Sequence, residues 1–239
     1  MVRAVMPEPA LFANLVEFGI PIYKASPDTP QHSVACNTSD WGECPLTGWP
    51  VPIPAGAAPN SGSDGAMVVV DETNSTIFEF WRAIKDGSEW SAQWGAVNRL
   101  EASGWGGSAT GSGASRLAGV IRVAEIAAGD IPHALALQTN NACNTFRPPA
   151  LKSDGTSTWA ACIPEGARLQ LDPSLDLSKL SLTRGELAVA IAMQNYGGYI
   201  VDVGGAPLSV GFELDTSASP GSLGKVYSAA GFRWDHDAM

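Results

Sequence analysis

The segment from Gly166 to Gly205 constrains the fold of this chain most, because its pattern changes from strand to helix and back to strand. Thr183 and Glu186 have the T-x-x-E spacing of a capping box, in which each side chain satisfies the other's free backbone amide at a helix start. Residues 187–193 are apolar on nearly every side, which is typical of a buried helix. We therefore predict one buried helix at about 184–195.

Strand patterns flank the predicted helix on both sides. Polar and apolar side chains alternate over residues 167–172, so a strand there has one polar and one apolar face. Gly197 and Gly198 end the helix, as glycine does where a left-handed residue is needed. Residues 199–203 form the next predicted strand, which carries one carboxylate, Asp202. An unpaired charge among apolar neighbours is costly, so Asp202 requires a partner or a function.

The rest of the chain is typical of a mainly β protein. It contains 26 glycines and 17 prolines but only 16% charged residues, which favours short strands and irregular loops over long helices. We predict a jelly-roll-type two-sheet sandwich at residues 64–239, with residues 1–63 as an N-terminal strap and edge strand packed on it, in a single globular unit. The Gly/Ser-rich segment 101–115 is predicted to be a mobile loop.

Charge and hydropathy exclude several partners. The net charge of −10 disfavours nucleic acid and anionic membrane surfaces. The sequence has no apolar run of about 18 or more residues, so we expect no membrane insertion. Motifs for serine hydrolases, nucleotide binding and zinc proteases are absent, and we predict no cofactor.

Four cysteines lie in two neighbourhoods, which indicates two disulfides and an oxidising compartment. Three connectivities are possible, and we favour the local one, Cys36 with Cys44 and Cys143 with Cys162. Their spacing does not indicate a metal site. We therefore expect a secreted, extracellular protein, with this sequence as its mature part. The segment 235–237, Asp-His-Asp, has metal-ligand chemistry, but a solvated tail is the favoured interpretation.

Several segments together resemble an uncharacterised group of secreted bacterial β-sandwich proteins. The matching segments are Phe-Gly-Ile-Pro-Ile-Tyr near the start and, from about Asp64 to the end, SDGAMVVVD, IFEFWRA, EIAAGDIPHAL, IPEGARLQLDPSLDLSKL, AMQNYGGYIVDVGG and RWDHD. The resemblance implies a secreted single domain and carries no particular activity.

Glu79, His133 and Asp202 are the candidate catalytic residues. Glu79 shares a strand face with an indole, and such an environment raises a carboxyl pKa towards that of a general acid. His133 opens a predicted strand and has the chemistry of an acid or base near neutral pH. The structural alternatives are a half-exposed or arginine-paired Glu79, a hydrogen-bonding His133, and an Asp202 that pairs with Arg168.

Arg168, Gln170, Trp81 and Tyr196 are the candidate substrate-binding residues. Arg168 has the charge to neutralise a uronate carboxylate. Eight tryptophans are many for 239 residues, and some of them have the shape of a sugar-stacking platform.

Two functions follow from these features. The first is a secreted enzyme that cleaves a polysaccharide in a groove, as a glycoside hydrolase or a polysaccharide lyase. The second is a non-catalytic carbohydrate-binding or cell-surface module. Convergence of Glu79, His133, Arg168 and Asp202 in one open cleft would favour the enzyme, whereas separate pockets would favour the module. The oligomeric state and the substrate are not indicated by the sequence.

Overall fold

A computed structural model describes residues 10–107, 109–236 and 239. Two five-stranded sheets form its framework. Sheet I contains, from edge to edge, β1 (Phe12–Asn14), β14 (Ser209–Gly211), β9 (Leu135–Thr139), β13 (Gly198–Val203) and β12 (Arg168–Leu169). Sheet II contains β2 (Ile22–Lys24), β6 (Met67–Asp71), β7 (Thr76–Asp86), β8 (Glu89–Arg99) and β4 (Val34–Cys36).

Smaller elements complete the part of the chain that the structure describes. Two strand pairs are β10 (Ala142–Phe146) with β11 (Ile163–Glu165) and β3 (Gln31–His32) with β5 (Val51–Pro52). The helices are α1 (Val123–Ala128), α2 (Arg184–Asn195) and α3 (Lys225–Ala230), with a 3₁₀ turn at Leu177–Lys179. Strand makes up 32% and helix 12%, so the prediction of a mainly β, two-sheet, sandwich-like protein is confirmed.

The strand pairing is mixed, whereas a jelly roll is built from antiparallel strands. The parallel pairs of the two large sheets are β1 with β14, β13 with β9, β2 with β6 and β4 with β8. Residues before position 63 thus supply strands to both sheets, in addition to a strap over one of them. The β6–β7–β8 meander is antiparallel throughout, as its short turns require.

The predicted helix at 184–195 is present with those bounds as α2, and the capping box between Thr183 and Glu186 is formed. The helix is buried on one face, although residues 187–193 are apolar on nearly every side. One face is buried on sheet I through Gly185, Ala188, Val189, Ala192 and Met193. Leu187 and Ile191 are 38% and 40% exposed, because the helix lies on the outer face of the sheet and no further layer of the described residues covers it.

Apolar clusters reveal the layers of the molecule. The outer face of sheet I packs against the helices, with Leu135, Ile200 and Phe212 in that core. The outer face of sheet II packs against the N-terminal strap, whose Leu46 and Ile53 meet the β6 and β7 side chains. The inner faces of the two sheets, which carry two smaller clusters, border the space where the candidate site lies.

The second half of the Gly/Ser-rich segment that the sequence predicted to be a mobile loop, residues 109–115, lies inside the molecule. Ser112, Ala114 and Ser115 are at most 4% exposed. The Ser112 amide donates to the Val201 carbonyl of sheet I, and Ser115 bonds to Glu79 of sheet II. Small side chains allow this thin segment to run between the two sheets, and composition does not distinguish such a segment from a surface loop.

Both disulfides have the predicted pairing, Cys36 with Cys44 and Cys143 with Cys162. Among the residues that the structure describes, no helix has the length and apolar character needed to span a membrane.

Candidate functional site

Asp202 reaches the space between the sheets because of a β-bulge. Along β13, Ile200 pairs with Leu137, and Asp202 pairs with Gln138, so Val201 is the extra residue. Without the bulge, Asp202 would share the face of Ile200, which is buried in the helix-side core. The bulge turns its carboxylate to the inner face, where the amides of Gly111 and Val203 each donate to Oδ1 at 3.1 Å.

Glu79 points into the same space from sheet II, since it pairs with Val68 on the inner face of β6. It is fully buried, and its carboxyl group accepts hydrogen bonds from the Ser115 hydroxyl and from the Arg116 amide, the latter at 2.9 Å. Burial raises the pKa of Glu79, although the Ser115 and Arg116 contacts act in the opposite direction. Glu79 therefore holds the Ser115–Arg116 turn and has no direct access to a substrate.

Arg116 is the cation of the site. Its side chain is 8% exposed, and its Nη2 donates to the Ala109 carbonyl at 2.6 Å. Its guanidinium lies 4.0 Å from Asp64 Oδ2 through Nη1 and 4.0 Å from Asp202 Oδ2 through Nη2. Its Nε is buried without a hydrogen-bond partner among the described residues. Arg116, not Arg168, is thus the partner of Asp202.

Three carboxyl groups crowd together beside Arg116. Oxygen atoms of Asp154, Glu165 and Asp202 all lie within 4.8 Å of one another. Burial, the Asp154 carboxyl and the Asp202 charge raise the pKa of Glu165 to about 9. Burial also raises the pKa of Asp202 to about 7, against the effect of Arg116 and with a contribution from Asp154. Crowded carboxyl groups whose pKa values are raised mark a candidate functional site.

A wall of tryptophans faces these carboxylates. The Trp41 ring lies 5.6 Å from the rings of both Trp81 and Trp94, and Trp41 is 59% exposed. The Trp81 Nε1 donates to Asp64 Oδ1 at 3.2 Å. The three indoles line a cavity of about 460 Å³, which also contacts Asp64, Asp154 and Asp202 among others.

A second cavity of about 470 Å³ adjoins the first. Both cavities are bordered by Asp64, Thr110, Arg116, Asp202 and Val203, and we call the two cavities together the cleft. The cleft lies between the sheets and is open to solvent through the tryptophan side, where Trp41 and Val203 are exposed.

The structure brings together only some of the residues that the sequence singled out. Asp202 and Trp81 line the cleft, and Glu79 lies directly behind it. His133 instead pairs with Glu125 of α1, at 3.1 Å from Nε2. Two other candidates, which lie outside the cleft, are exposed at the end of α2: Arg168 donates to the Tyr196 carbonyl at 2.8 Å, and Gln170 to the Gln194 carbonyl at 2.6 Å.

Tyr196 itself is 39% exposed at the C-terminal end of α2 and is not among the residues that line the cleft. Near the C-terminus, the Asp235 carboxylate accepts hydrogen bonds from the backbone amides of residues 15, 16 and 17 and so caps the turn at these residues. Asp237, the third member of the Asp-His-Asp group, lies outside the described residues.

Sequence reasoning assigned no site role to five residues of the cleft and the adjoining carboxyl cluster: Trp41, Asp64, Arg116, Asp154 and Glu165. Asp64 and Asp154 lie in turn-like sequences, where a carboxylate is ordinarily a cap. Arg116 follows a Gly/Ser-rich run that resembled a connector. Trp41 carried one usable signal, since it lies inside the short Cys36–Cys44 loop, and a disulfide loop presents a side chain rigidly.

No family model, no curated protein and no solved structure matches this chain.

Proposed function

We propose that this protein is a secreted carbohydrate-active enzyme that hydrolyses a polysaccharide in the cleft between its two sheets. The observation that carries the proposal is the juxtaposition of an exposed tryptophan wall and carboxylates around one cavity of about 460 Å³. Indole faces stack on the apolar faces of sugar rings. Paired carboxyl groups supply the acid and the base or nucleophile of glycoside hydrolysis.

Asp64 and Asp202 are the carboxylates we assign to the reaction. Each lies 4.0 Å from a different nitrogen of the Arg116 guanidinium, so they flank one point of the cleft. Asp64 is also fixed to the tryptophan wall by the Trp81 indole. One carboxyl group would protonate the leaving oxygen while the other attacks the sugar or activates water.

The charge of the cleft favours a hydrolase over a uronate lyase. Asp64, Asp154 and Asp202 outnumber Arg116 and Lys152, the basic residues that line the cavity of about 460 Å³. A lyase needs a cation to neutralise the substrate carboxylate, and because Arg116 is buried and already bonded to the Ala109 carbonyl, only the exposed Lys152 of that cavity's lining has this property. A neutral polysaccharide therefore fits this cleft better than a polyuronate.

A non-catalytic carbohydrate-binding module is the second candidate. It is favoured by the separation of His133 and Arg168 from Asp202 and by the complete burial of Glu79. Against it stands the buried charge around Arg116, since a binding surface built on tryptophans does not require crowded carboxyl groups that cost stability.

A polysaccharide panel tests the proposal. The purified protein is incubated with neutral and acidic polysaccharides, and products are followed both by reducing ends and by the ultraviolet absorbance of unsaturated sugars. We expect reducing ends without unsaturated products. Unsaturated products would show that the enzyme is a lyase and not a hydrolase. Saturable binding without any product would favour the non-catalytic carbohydrate-binding module.

Three variants then locate the activity. We expect Asp64→Asn and Asp202→Asn each to lower kcat/KM by about 10²–10⁴-fold, the usual contribution of a general acid or base. Trp41→Ala should raise KM with little change in kcat. Asp202→Asn should melt at the same or a higher temperature, because it removes a buried charge. Glu72→Gln, at an exposed carboxylate paired with Lys24, is the control. Full activity in Asp202→Asn together with a lower melting temperature would remove Asp202 from the site.

A further inference from the structure

We propose that Asp154, Glu165 and Asp202 bind a hard divalent cation of the calcium or magnesium type at the edge of the cleft. Each residue presents a carboxylate oxygen, and these oxygens lie within 4.8 Å of one another. A single cation fits between these three oxygen atoms, with metal–oxygen distances of 2.0–2.6 Å, roughly the range of Mg²⁺ and Ca²⁺ bonds to oxygen. No imidazole or thiolate takes part, which disfavours zinc and copper.

An independent observation points to a missing ligand at this place. Glu165 is fully buried, and neither Oε1 nor Oε2 has a hydrogen-bond partner among the residues that the structure describes. Buried carboxylates almost always accept hydrogen bonds, because an uncompensated buried charge is costly. The neighbours of Glu165 are the Ser153 side chain and two other carboxyl groups, none of which supplies a positive charge. A cation in their midst provides the counter-charge.

The surrounding backbone is shaped to bring Asp154 to this point. A Cβ atom at Gly111 would lie 2.2 Å from Asp154 Oδ1, and a Cβ at Gly155 would lie 2.2 Å from the Cys143 carbonyl. Both glycines thus permit an approach that any side chain would block. The Cys143–Cys162 disulfide closes the excursion that carries Asp154, while Glu165 ends β11 and Asp202 lies after the bulge of β13.

The existing positive charge does not neutralise the cluster. Arg116 comes no closer than 4.0 Å to Asp202, and its guanidinium is shared with Asp64 and the Ala109 carbonyl. Asp154 and Asp202 both line the cavity of about 460 Å³, so water has access to complete the coordination. Calcium and magnesium commonly keep water ligands in addition to carboxylates.

The other acidic group of the described residues, Glu17, Asp235 and His236, does not have these properties. The Asp235 carboxylate is already satisfied by three backbone amides, at 2.7 to 3.0 Å. It therefore serves as an internal comparison in the experiment.

Terbium luminescence tests the site without a substrate. The protein is stripped with a chelator, and Tb³⁺ is added while the tryptophans are excited, since Trp41, Trp81 and Trp94 line the cavity that the cluster faces. We expect saturable sensitised emission that Ca²⁺ or Mg²⁺ displaces, and the more effective ion identifies the occupant. The same ion should raise the melting temperature of the stripped protein.

Two ligand variants and one control decide the assignment. Glu165→Gln and Asp154→Asn should each weaken cation binding by roughly tenfold or more, as loss of metal-site partners does. Glu17→Gln should leave binding unchanged. Circular dichroism and a thermal melt verify that each variant is folded. Absence of saturable emission, or equal affinity in Glu165→Gln, Asp154→Asn and the unsubstituted protein, would overturn the site. Since no readout uses polysaccharide, failure here is distinct from failure of the proposed hydrolase.

Discussion

At the residue scale, Glu79 supports the cleft from sheet II. Its carboxyl group accepts from the Ser115 hydroxyl and the Arg116 amide, and all three groups are buried. The Ser115–Arg116 turn places the guanidinium between Asp64 and Asp202. A strand residue of sheet II thereby fixes a loop residue that contacts a carboxylate of sheet I.

Glu79→Ala should therefore destabilise the protein. It leaves two buried donors without an acceptor and opens a cavity, so we expect the free energy of unfolding to fall by about 2–5 kcal/mol. Urea denaturation measures this change. Glu72→Ala is the matched control, because the Glu72 side chain is 58% exposed in a surface ion pair and should change stability by no more than about 1 kcal/mol. Equal losses in the two variants would contradict the support role.

At the element scale, helix α1 depends on a charged pair near its start. Glu125 accepts the Arg122 amide at 2.7 Å, and a ring nitrogen of His133, Nε2, lies 3.1 Å from it. The hydrogen bond to Glu125 raises the pKa of His133 above its ordinary value of 6.5, although burial and Arg122 act against the shift. Burial acts to raise the pKa of Glu125, but the contacts with His133 and Arg122 lower it overall from 4.5.

These shifts predict how stability varies with pH. A raised histidine pKa stabilises the fold fully below pH 6.5, and this contribution is lost as the pH rises through the folded-state value. A lowered carboxyl pKa stabilises the fold above pH 4.5, and this contribution is lost as the pH falls. Their combined contribution is therefore largest between pH 4.5 and 6.5.

His133→Gln should remove the loss of stability between about pH 6 and about pH 8, while its stability at about pH 8 stays close to that of the unsubstituted protein. Urea denaturation at the two pH values gives the difference. His32→Gln, on β3 and outside the Glu125 contact, is the comparison. A pH dependence that survives in His133→Gln would assign the effect to another group.

At the scale of the whole molecule, the two disulfides fix two different sides of the cleft. The Cys36–Cys44 loop carries Trp41, and the Cys143–Cys162 excursion carries Asp154. The sequence separations are 8 and 19 residues. Loop-closure entropy then gives a contribution of about 2.5 kcal/mol for the shorter loop and about 3 kcal/mol for the longer one.

Replacing each cysteine pair with serines should separate cation binding from polysaccharide binding. Loss of Cys143–Cys162 should lower the free energy of unfolding by about 3 kcal/mol and weaken Tb³⁺ binding, because Asp154 is no longer held against Gly111. Loss of Cys36–Cys44 should cost slightly less stability, spare Tb³⁺ affinity and raise KM for a polysaccharide through Trp41. Tb³⁺ titration and urea denaturation of both variants measure this. An equal loss of cation affinity in both would contradict the division.

Local interactions were readable from the sequence. The bounds of α2 follow from a capping box three residues apart, and the disulfides follow from neighbouring cysteines. In each case the interacting groups are close in the chain, so few alternative partners compete. The mainly β class follows for the same reason, since strand patterning and turn residues act locally.

The cleft was decided by tertiary structure. The bulge at Val201 reverses the face on which Asp202 lies. The order of polar and apolar residues in the sequence does not indicate this one-residue shift of register. Asp154, Glu165 and Asp202 meet through pairing between β10 and β11 and through the contact of Gly111 with Asp154. These partners are separated by up to 91 positions, as Gly111 and Asp202 are. Local patterning fixes which segments become strands and helices, but only long-range packing fixes which polar groups are desolvated together, and that grouping forms the site.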